Sequence, residues 1–292
     1  MRIAVTGATG FVGRQLCPYL QHHLGAEIVA ISRTNASNNP MDLSFTQTDE
    51  QLATRLSGRI DCLIHLAAKA HNHKASATDF ARDNVVLSER VARLCISSNI
   101  PRMILLSSIK VNGESTAHRP PYSAADIPAP EDNYGRSKLA SEQVVQKIFQ
   151  NSTTEWVIVR PPLIYGENNK GNLQSLLKLM CKGIPLPFNN IHNRRDLVSI
   201  ENLCSVISLA ITHPQAAGEI FLVSDGVARN TKEIAQLIAE RAGLNPYFFA
   251  TPQWLLKLLA YVKPQIIKRL TEDLAIDITK TQALLGWKPL IK

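Results

Sequence analysis

Short apolar runs recur through the first 160 residues, and between them apolar positions return at helical spacing. Arg2-Ile3-Ala4-Val5, Glu27-Ile28-Val29-Ala30-Ile31, Asp61-Cys62-Leu63-Ile64-His65, Arg102-Met103-Ile104-Leu105-Leu106 and Trp156-Val157-Ile158-Val159-Arg160 predict five strands. Residues 11–20 and 80–97 carry helical patterning, with Asn84 near the start of the second segment, and Tyr134 opens a third helix. Strands apolar along their whole length, alternating with helices, predict a parallel, doubly wound α/β sheet covered on both faces. Beyond residue 165 the regularity loosens. Helical segments at 173–181, 201–212 and 231–241 alternate with loops and one strand, Glu219-Ile220-Phe221-Leu222-Val223. That strand is expected to return to the main sheet, whose domain spans 1–165, while 166–292 mainly builds a smaller C-terminal lobe for substrate. After Leu285-Gly286-Trp287-Lys288-Pro289 little chain is left for a closing helix.

The first strand runs into Thr6-Gly7-Ala8-Thr9-Gly10-Phe11-Val12-Gly13 and then into a helix. In a strand–glycine–helix turn, one glycine permits the bend, the next lets a pyrophosphate approach the backbone, and the third lets helix pack on strand. The second strand ends at Ser32-Arg33. An acidic side chain there would bond both ribose hydroxyls of an adenosine and repel a 2′-phosphate. With serine and arginine instead, the sequence favours NADP(H) and leaves NAD(H) possible. Asp42-Leu43 offers an acceptor for an adenine amino group, and Leu66-Ala67-Ala68 supplies small residues against which a cofactor can lie. His65, inside an apolar strand, is expected to be a satisfied core residue.

Composition narrows the class. Of 292 residues, 45% are hydrophobic and 19% charged, as in a globular enzyme. The net charge of +8 is spread along the chain without a basic stripe or interleaved aromatics, so nucleic acid is not expected and an anionic small substrate is. The five cysteines are odd in number and widely spaced, which predicts buried thiols in a reducing compartment, no metal site and a cytoplasmic protein. No apolar run approaches the length of a membrane span. Residues 254–262 could lie on a membrane surface, but at that length a packed helix of the small lobe is expected.

Tyr134 and Lys138 stand four apart, on one face of a helix, and Ser108 follows the Arg102-to-Leu106 strand at the edge where open parallel sheets bind ligands. Tyrosine, with an ordinary pKa near 10, is a poor base near neutrality. A nearby lysine charge and an oxidised nicotinamide would favour its phenolate. Tyr134 can then carry a proton and Ser108 hold the reacting oxygen. Residues 111–132, rich in proline and polar side chains, predict a functional loop at the substrate mouth.

In these motifs, together with Arg160-Pro161-Pro162-Leu163-Ile164-Tyr165-Gly166 and Arg195-Asp196-Leu197-Val198, the whole chain resembles the extended short-chain dehydrogenase/reductases, in their nucleotide-sugar epimerase, dehydratase and reductase branch. The resemblance implies a Rossmann-like fold, a catalytic set of Ser108, Tyr134 and Lys138, and a homodimer formed by helices that begin near Phe80 and Tyr134. It implies cofactor contacts from Gly7, Thr9, Gly10, Phe11, Val12, Gly13, Ser32, Arg33, Asp42, Leu43, Leu66, Ala67, Ala68, Asn84, Pro161, Tyr134 and Lys138. It also implies a UDP-sugar, with Asn172 and Leu173 near the nucleotide and Arg195 and Arg269 on the diphosphate. Ser107-Ser108-Ile109-Lys110-Val111-Asn112-Gly113-Glu114 followed by Lys170-Gly171-Asn172 is similar to the bacterial UDP-N-acetylquinovosamine dehydrogenases and related 4-reductases of surface-polysaccharide synthesis, which adds Lys110, Val111 and Asn112 to the substrate set. The expected activity is NAD(P)H-dependent reduction of a UDP-2-acetamido-4-keto-2,6-dideoxy sugar. The alternatives are a UDP-N-acetylglucosamine or UDP-glucose 4-epimerase with bound NAD and, in another class, a cofactor-sensing regulatory protein without catalysis.

Overall fold

The computed structural model describes residues 1–33, 42–70, 75–167, 172–252, 261 and 264–290. Seven parallel strands form the main sheet in the order β3-β2-β1-β4-β5-β6-β9. They are β1 (Arg2–Thr6), β2 (Glu27–Ser32), β3 (Leu43–Ser44), β4 (Cys62–His65), β5 (Arg102–Leu106), β6 (Glu155–Arg160) and β9 (Glu219–Leu222). A second, two-stranded parallel sheet pairs β7 (Leu163–Tyr165) with β8 (Leu197–Ser199). The chain is thus an α/β protein with a Rossmann-like sheet.

Strand alternation distributes the apolar residues between two cores. Ile3, Val5, Cys62, Ile64, Ile104, Val157 and Val159 face one layer, with Leu16 and Leu20 of α1 (Phe11–Leu24) and Leu203, Val206, Ile207 and Ala210 of α7 (Ile200–Thr212). Ala4, Leu63, Met103, Leu105 and Ile158 face the other, with Leu52 and Leu56 of α2 (Asp49–Leu56), Leu94 of α4 (Leu87–Ser97), and Val145 and Phe149 of α5 (Asn133–Phe149). Each such side chain contributes about 1.5–3 kcal/mol when buried, so a sheet covered on both faces must be apolar at every position. A third cluster joins Leu173 and Met180 of α6 (Asn172–Cys181) to Ile234, Ala235 and Ile238 of α8 (Thr231–Arg241).

Several expectations need correction. Part of 166–292 beyond the returning strand also joins the main body: α7 covers the face of the main sheet beside α1, and Ile276, Leu285 and Trp287 join the same core. The tail also holds a short helix, Thr279–Leu285, whose Thr281 hydroxyl donates to Leu222 at the end of β9. The segment expected as one helix at 80–97 is three: α3 (Ala77–Phe80), a π-helical turn at Ala81–Val86, and α4. Neither α2 nor the β7–β8 pair was expected. The start of α2 is set by a reciprocal bond pair between Thr48 and Gln51, a pattern visible in the sequence. The segment at 254–262 lies, apart from Tyr261, outside the described residues.

The strand order reverses between β1 and β4, and the glycine turn sits at that point. Gly7 has φ of +76°, and a Cβ there would lie 2.8 Å from the Ala67 nitrogen. A Cβ on Gly13 would lie 2.4 Å from the Gly7 carbonyl oxygen and 2.6 Å from Ala8 Cα, both backbone atoms that cannot swing aside. We therefore expect Gly13→Ala to lose about 1–3 kcal/mol of stability, seen as a lower urea midpoint at unchanged slope.

Candidate active site

Because all seven strands run the same way, their carboxyl ends meet at one edge, and the candidate residues gather there. Gly10 is the N-cap of α1, bonded through its N–H to Gly7 O at 2.9 Å. No side chain caps α1, and no acidic residue stands in its first turn. The helix therefore presents backbone N–H groups and its positive end beside a glycine bend, an arrangement that suits a diphosphate. Thr9 is exposed on the bend, Phe11 and Val12 pack against the core below it, and Leu66 and Ala67 line its other side, with Ala68 next in the chain. Leu66 N–H donates to Thr6 O at 3.1 Å and Ala67 N–H to Thr6 Oγ1 at 3.3 Å, holding the β4 exit against the turn. These residues fit a dinucleotide.

At the adenosine end, Ser32 closes β2 and the exposed Arg33 follows it. Asp42, expected to meet adenine, accepts from Ala30 N–H at 3.0 Å through Oδ1, so that atom braces β2. Leu43 is buried in β3. His65 is the core residue it was expected to be. Its ring nitrogens bond Thr6 Oγ1 at 2.6 Å and Ser88 Oγ at 3.1 Å, and burial with the nearby Lys138 charge lowers its pKa to about 3, leaving it neutral. Asn84 uses its amide inside the protein: Oδ1 accepts from Lys69 N–H at 2.7 Å, and Nδ2 donates to Lys69 O at 3.2 Å and Ser137 Oγ at 2.8 Å. The wide π turn brings Asn84 inward, where it ties the β4 exit to α5.

Ser108 and Tyr134 come together, and Lys138 stands one helical turn beyond Tyr134 on α5. Ser108 follows β5 and caps the 3₁₀ turn Ile109–Val111, accepting from Lys110 N–H at 3.3 Å. Its hydroxyl also bonds the Tyr134 phenol. Asp132 caps α5 by accepting from Gly135 N–H at 2.7 Å, which sets the helix start so that Tyr134 and Lys138 face the strand ends. Gly135 is required here, since a Cβ would stand 2.7 Å from Lys110 O. Lys138 is only 2% exposed, and burial lowers its pKa to about 8 against the opposing charge of Glu142. Tyr134 differs from expectation: burial and then Asp132 push its pKa up to about 12, with the Ser108 bond working the other way. In the protein alone it is a neutral phenol.

The remaining substrate candidates divide. Arg195 is brought beside Arg269 from 74 positions away, and burial followed by the Arg269 charge lowers its pKa to about 10. Its Nη1 donates to Glu272 O at 2.8 Å. Arg269, on the helix Pro264–Thr271, pairs with Glu114 at 3.1 Å and Asp132 at 3.6 Å. Lys110 is tied into the same cluster by Glu114 at 2.8 Å and by Asp132. Val111 is fully buried, so its side chain packs in the interior instead of lining an open mouth. Asn112 is buried too, accepting from Arg160 at 3.0 Å and donating to Ser123 O at 3.0 Å. Leu173 packs into the third core, while Asn172 opens α6. Pro161 is buried, and its carbonyl accepts from Ile109 N–H at 2.9 Å.

Two features escaped the reading of the sequence. One is the acidic pair Glu114 and Asp132 that holds Lys110 and Arg269. The other is a buried network of Ser107, Glu142 and Arg160 that joins α5 to the ends of β5 and β6. A glutamate one helical turn past Lys138, and an arginine closing an apolar strand, were the available signals.

The model of the NAD dependent epimerase/dehydratase family matches residues 3–224. A UDP-glucose 4-epimerase of Vibrio cholerae is 38% identical over 98% of this chain and 90% of its own length. A UDP-2-acetamido-2,6-beta-L-arabino-hexul-4-ose reductase of Pseudomonas aeruginosa is 28% identical over 70% of this chain and 47% of its own. The crystal structure of UDP-N-acetylglucosamine 4-epimerase from Bacillus cereus shares the fold, with a TM-score of 0.80 at 21% identity over 100% of this chain and 95% of that one. A glycine turn at the sheet reversal, a serine, tyrosine and lysine at the strand ends, and a family match over most of its length agree: the chain belongs to the NAD dependent epimerase/dehydratase family, whose members include nucleotide-sugar epimerases and reductases.

Proposed function

We propose that this protein is a 4-epimerase of a UDP-hexose, keeping its nicotinamide cofactor bound through the cycle. The observation that carries the reading is the 38% identity to the Vibrio cholerae UDP-glucose 4-epimerase along nearly the whole chain. This places the epimerase ahead of the 4-ketoreductase expected from the Ser107-to-Glu114 motif. A nicotinamide held at the glycine turn would supply the hydride acceptor and donor. Ser108 holds the sugar O4, and Tyr134 takes its proton as the C4–H bond breaks and returns it when that bond reforms on the other face. Lys138 favours the phenolate during the first half, and Arg195 with Arg269 would hold the diphosphate while the sugar ring turns over. Two copies pairing through α4 and α5, and a cytoplasmic location, belong to the same proposal. The location is supported by five cysteines left as free thiols, of which Cys62, Cys95 and Cys204 are buried, whereas Cys181, against expectation, is exposed. Among the described residues no helix is long and apolar enough to cross a membrane.

The reductase is the second reading, favoured by exposed Arg33 at the end of β2, which suits an exchangeable NADPH. Product analysis separates the two. Interconversion of UDP-glucose with UDP-galactose, or of their N-acetyl counterparts, without added reductant supports the epimerase. Consumption of NADPH with a UDP-4-keto-6-deoxy sugar and no epimerisation supports the reductase. Under either, Tyr134→Phe lowers turnover by several orders of magnitude and leaves cofactor affinity near wild type.

The adenosine end has its own test. Arg33→Ala is expected to weaken NADP(H) binding about tenfold, the size of one exposed charged contact to phosphate, while NAD(H) affinity stays within about twofold. Equal losses for both cofactors, read by fluorescence titration, would remove Arg33 from the phosphate site.

Burial of Lys138 has a consequence for stability. Its folded pKa of about 8 lies below its ordinary 10.5, so between these values the unfolded chain binds more protons and stability rises with pH. Measured against Lys138→Met in cofactor-free protein, the wild type should gain about 2–3 kcal/mol across that window. A pH-independent difference would show that Lys138 is solvated.

A further inference from the structure

Behind the catalytic set lies a buried ion pair to which the proposed chemistry assigns no role. Glu142 is 1% exposed and Arg160 2% exposed. Arg160 grips the carboxylate with two nitrogens, Nε to Oε1 at 2.9 Å and Nη2 to Oε2 at 2.5 Å. Ser107 Oγ donates to Glu142 Oε1, and Arg160 Nη1 donates to Asn112 Oδ1 at 3.0 Å. A buried pair of this kind is a poor way to gain stability, because desolvating both charges offsets most of their attraction. Its location is more informative. Ser107 precedes Ser108, Asn112 follows the 3₁₀ turn that Ser108 caps, Glu142 stands one helical turn beyond Lys138, and Arg160 precedes Pro161.

We propose that Glu142 and Arg160 are positioning residues of the active site, clamping the catalytic face of α5 to the carboxyl ends of β5 and β6 and keeping the charge of Lys138 available to Tyr134. The inference rests on the proposed oxidoreductase chemistry and concerns residues that never touch the sugar. Tyr134 meets Asp132 from its own helix cap and the Ser108 hydroxyl from beyond β5. Lys138 meets Glu142 on α5 and neutral His65 on β4. Glu142 is thus the carboxylate that opposes loss of the Lys138 proton, and Arg160 holds it in place. Without it the ammonium gives up its proton at lower pH, and the Tyr134 phenolate loses a stabilising neighbour.

The test uses the cofactor-bound protein and the tyrosinate absorption band, read as a pH titration with Tyr134→Phe subtracted. The double variant Glu142→Met with Arg160→Met removes both charges at similar volume, an exchange that buried pairs often tolerate. We expect it to unfold within a few degrees of wild type, to titrate Tyr134 about one pH unit higher, and to lose at least tenfold in kcat with little change in sugar KM. A folded double variant with wild-type titration and kcat would overturn the proposal. Should that variant fail to fold, Ser107→Ala decides, since it leaves both charges and removes one bond to Glu142. A severalfold loss of kcat at unchanged KM and unchanged melting supports the clamp, and wild-type kinetics overturn it. The titration needs no sugar, so it stands even if no UDP-hexose is turned over, an outcome that would count against the proposed function alone.

Discussion

The parallel direction of every strand in the main sheet is the constraint on which the site depends. Seven carboxyl ends fall along one edge, and the reversal of strand order between β1 and β4 opens a crevice there. Into that crevice the chain delivers the glycine turn after β1, the small residues after β4, Ser108 after β5 and Pro161 after β6. None of these segments is near another in sequence. Their meeting follows from two-sided burial of the strands, which forces helices onto both faces and crossovers between parallel neighbours.

Charge at this edge is arranged in two tiers. Lys138 is buried one helical turn beyond Tyr134 with its ammonium poorly solvated, while Arg195 and Arg269 stand together on the side of the smaller core. In the deep tier Glu142 pairs with Arg160 and opposes the charge of Lys138, and in the outer one Glu114 and Asp132 hold Arg269. An anionic ligand entering the outer tier would meet Arg269 already oriented by carboxylates and Arg195 by the Glu272 carbonyl, which lowers the cost of ordering them on binding. Asp132 serves twice, as the N-cap of α5 and as a partner of Lys110, so the start of that helix and the outer tier are coupled through one side chain.

A sheet that carries its ligands at an edge leaves the identity of the reaction to loops and to small differences in charge. Serine, tyrosine and lysine move a proton equally well in an epimerase and in a reductase. The two differ in whether the cofactor leaves and whether the sugar turns over, which depend on contacts around the adenosine and the hexose. The full-length likeness to an epimerase and the Ser32-Arg33 strand end pull in different directions, and both are properties of this one chain.

By itself the sequence determined six strands of the main sheet, the glycine turn and the spacing of Tyr134 and Lys138, because each is written in a local period: apolar runs for buried strands, three glycines for a bend, four residues for one helical turn. It also showed His65 as a core residue, since its neighbours on both sides are apolar. What only the tertiary structure decided was set by partners far apart in the chain. The assignment of α7 and the C-terminal helix to the main body, the use of Asn84 and of Asp42 Oδ1 as internal braces, the burial of Val111, and the pairing of Arg269 with Glu114 all depend on long-range contacts. The same holds for Tyr134: the expectation of an easily formed phenolate counted Lys138 but not the desolvation that folding imposes, and that larger effect raises its pKa instead.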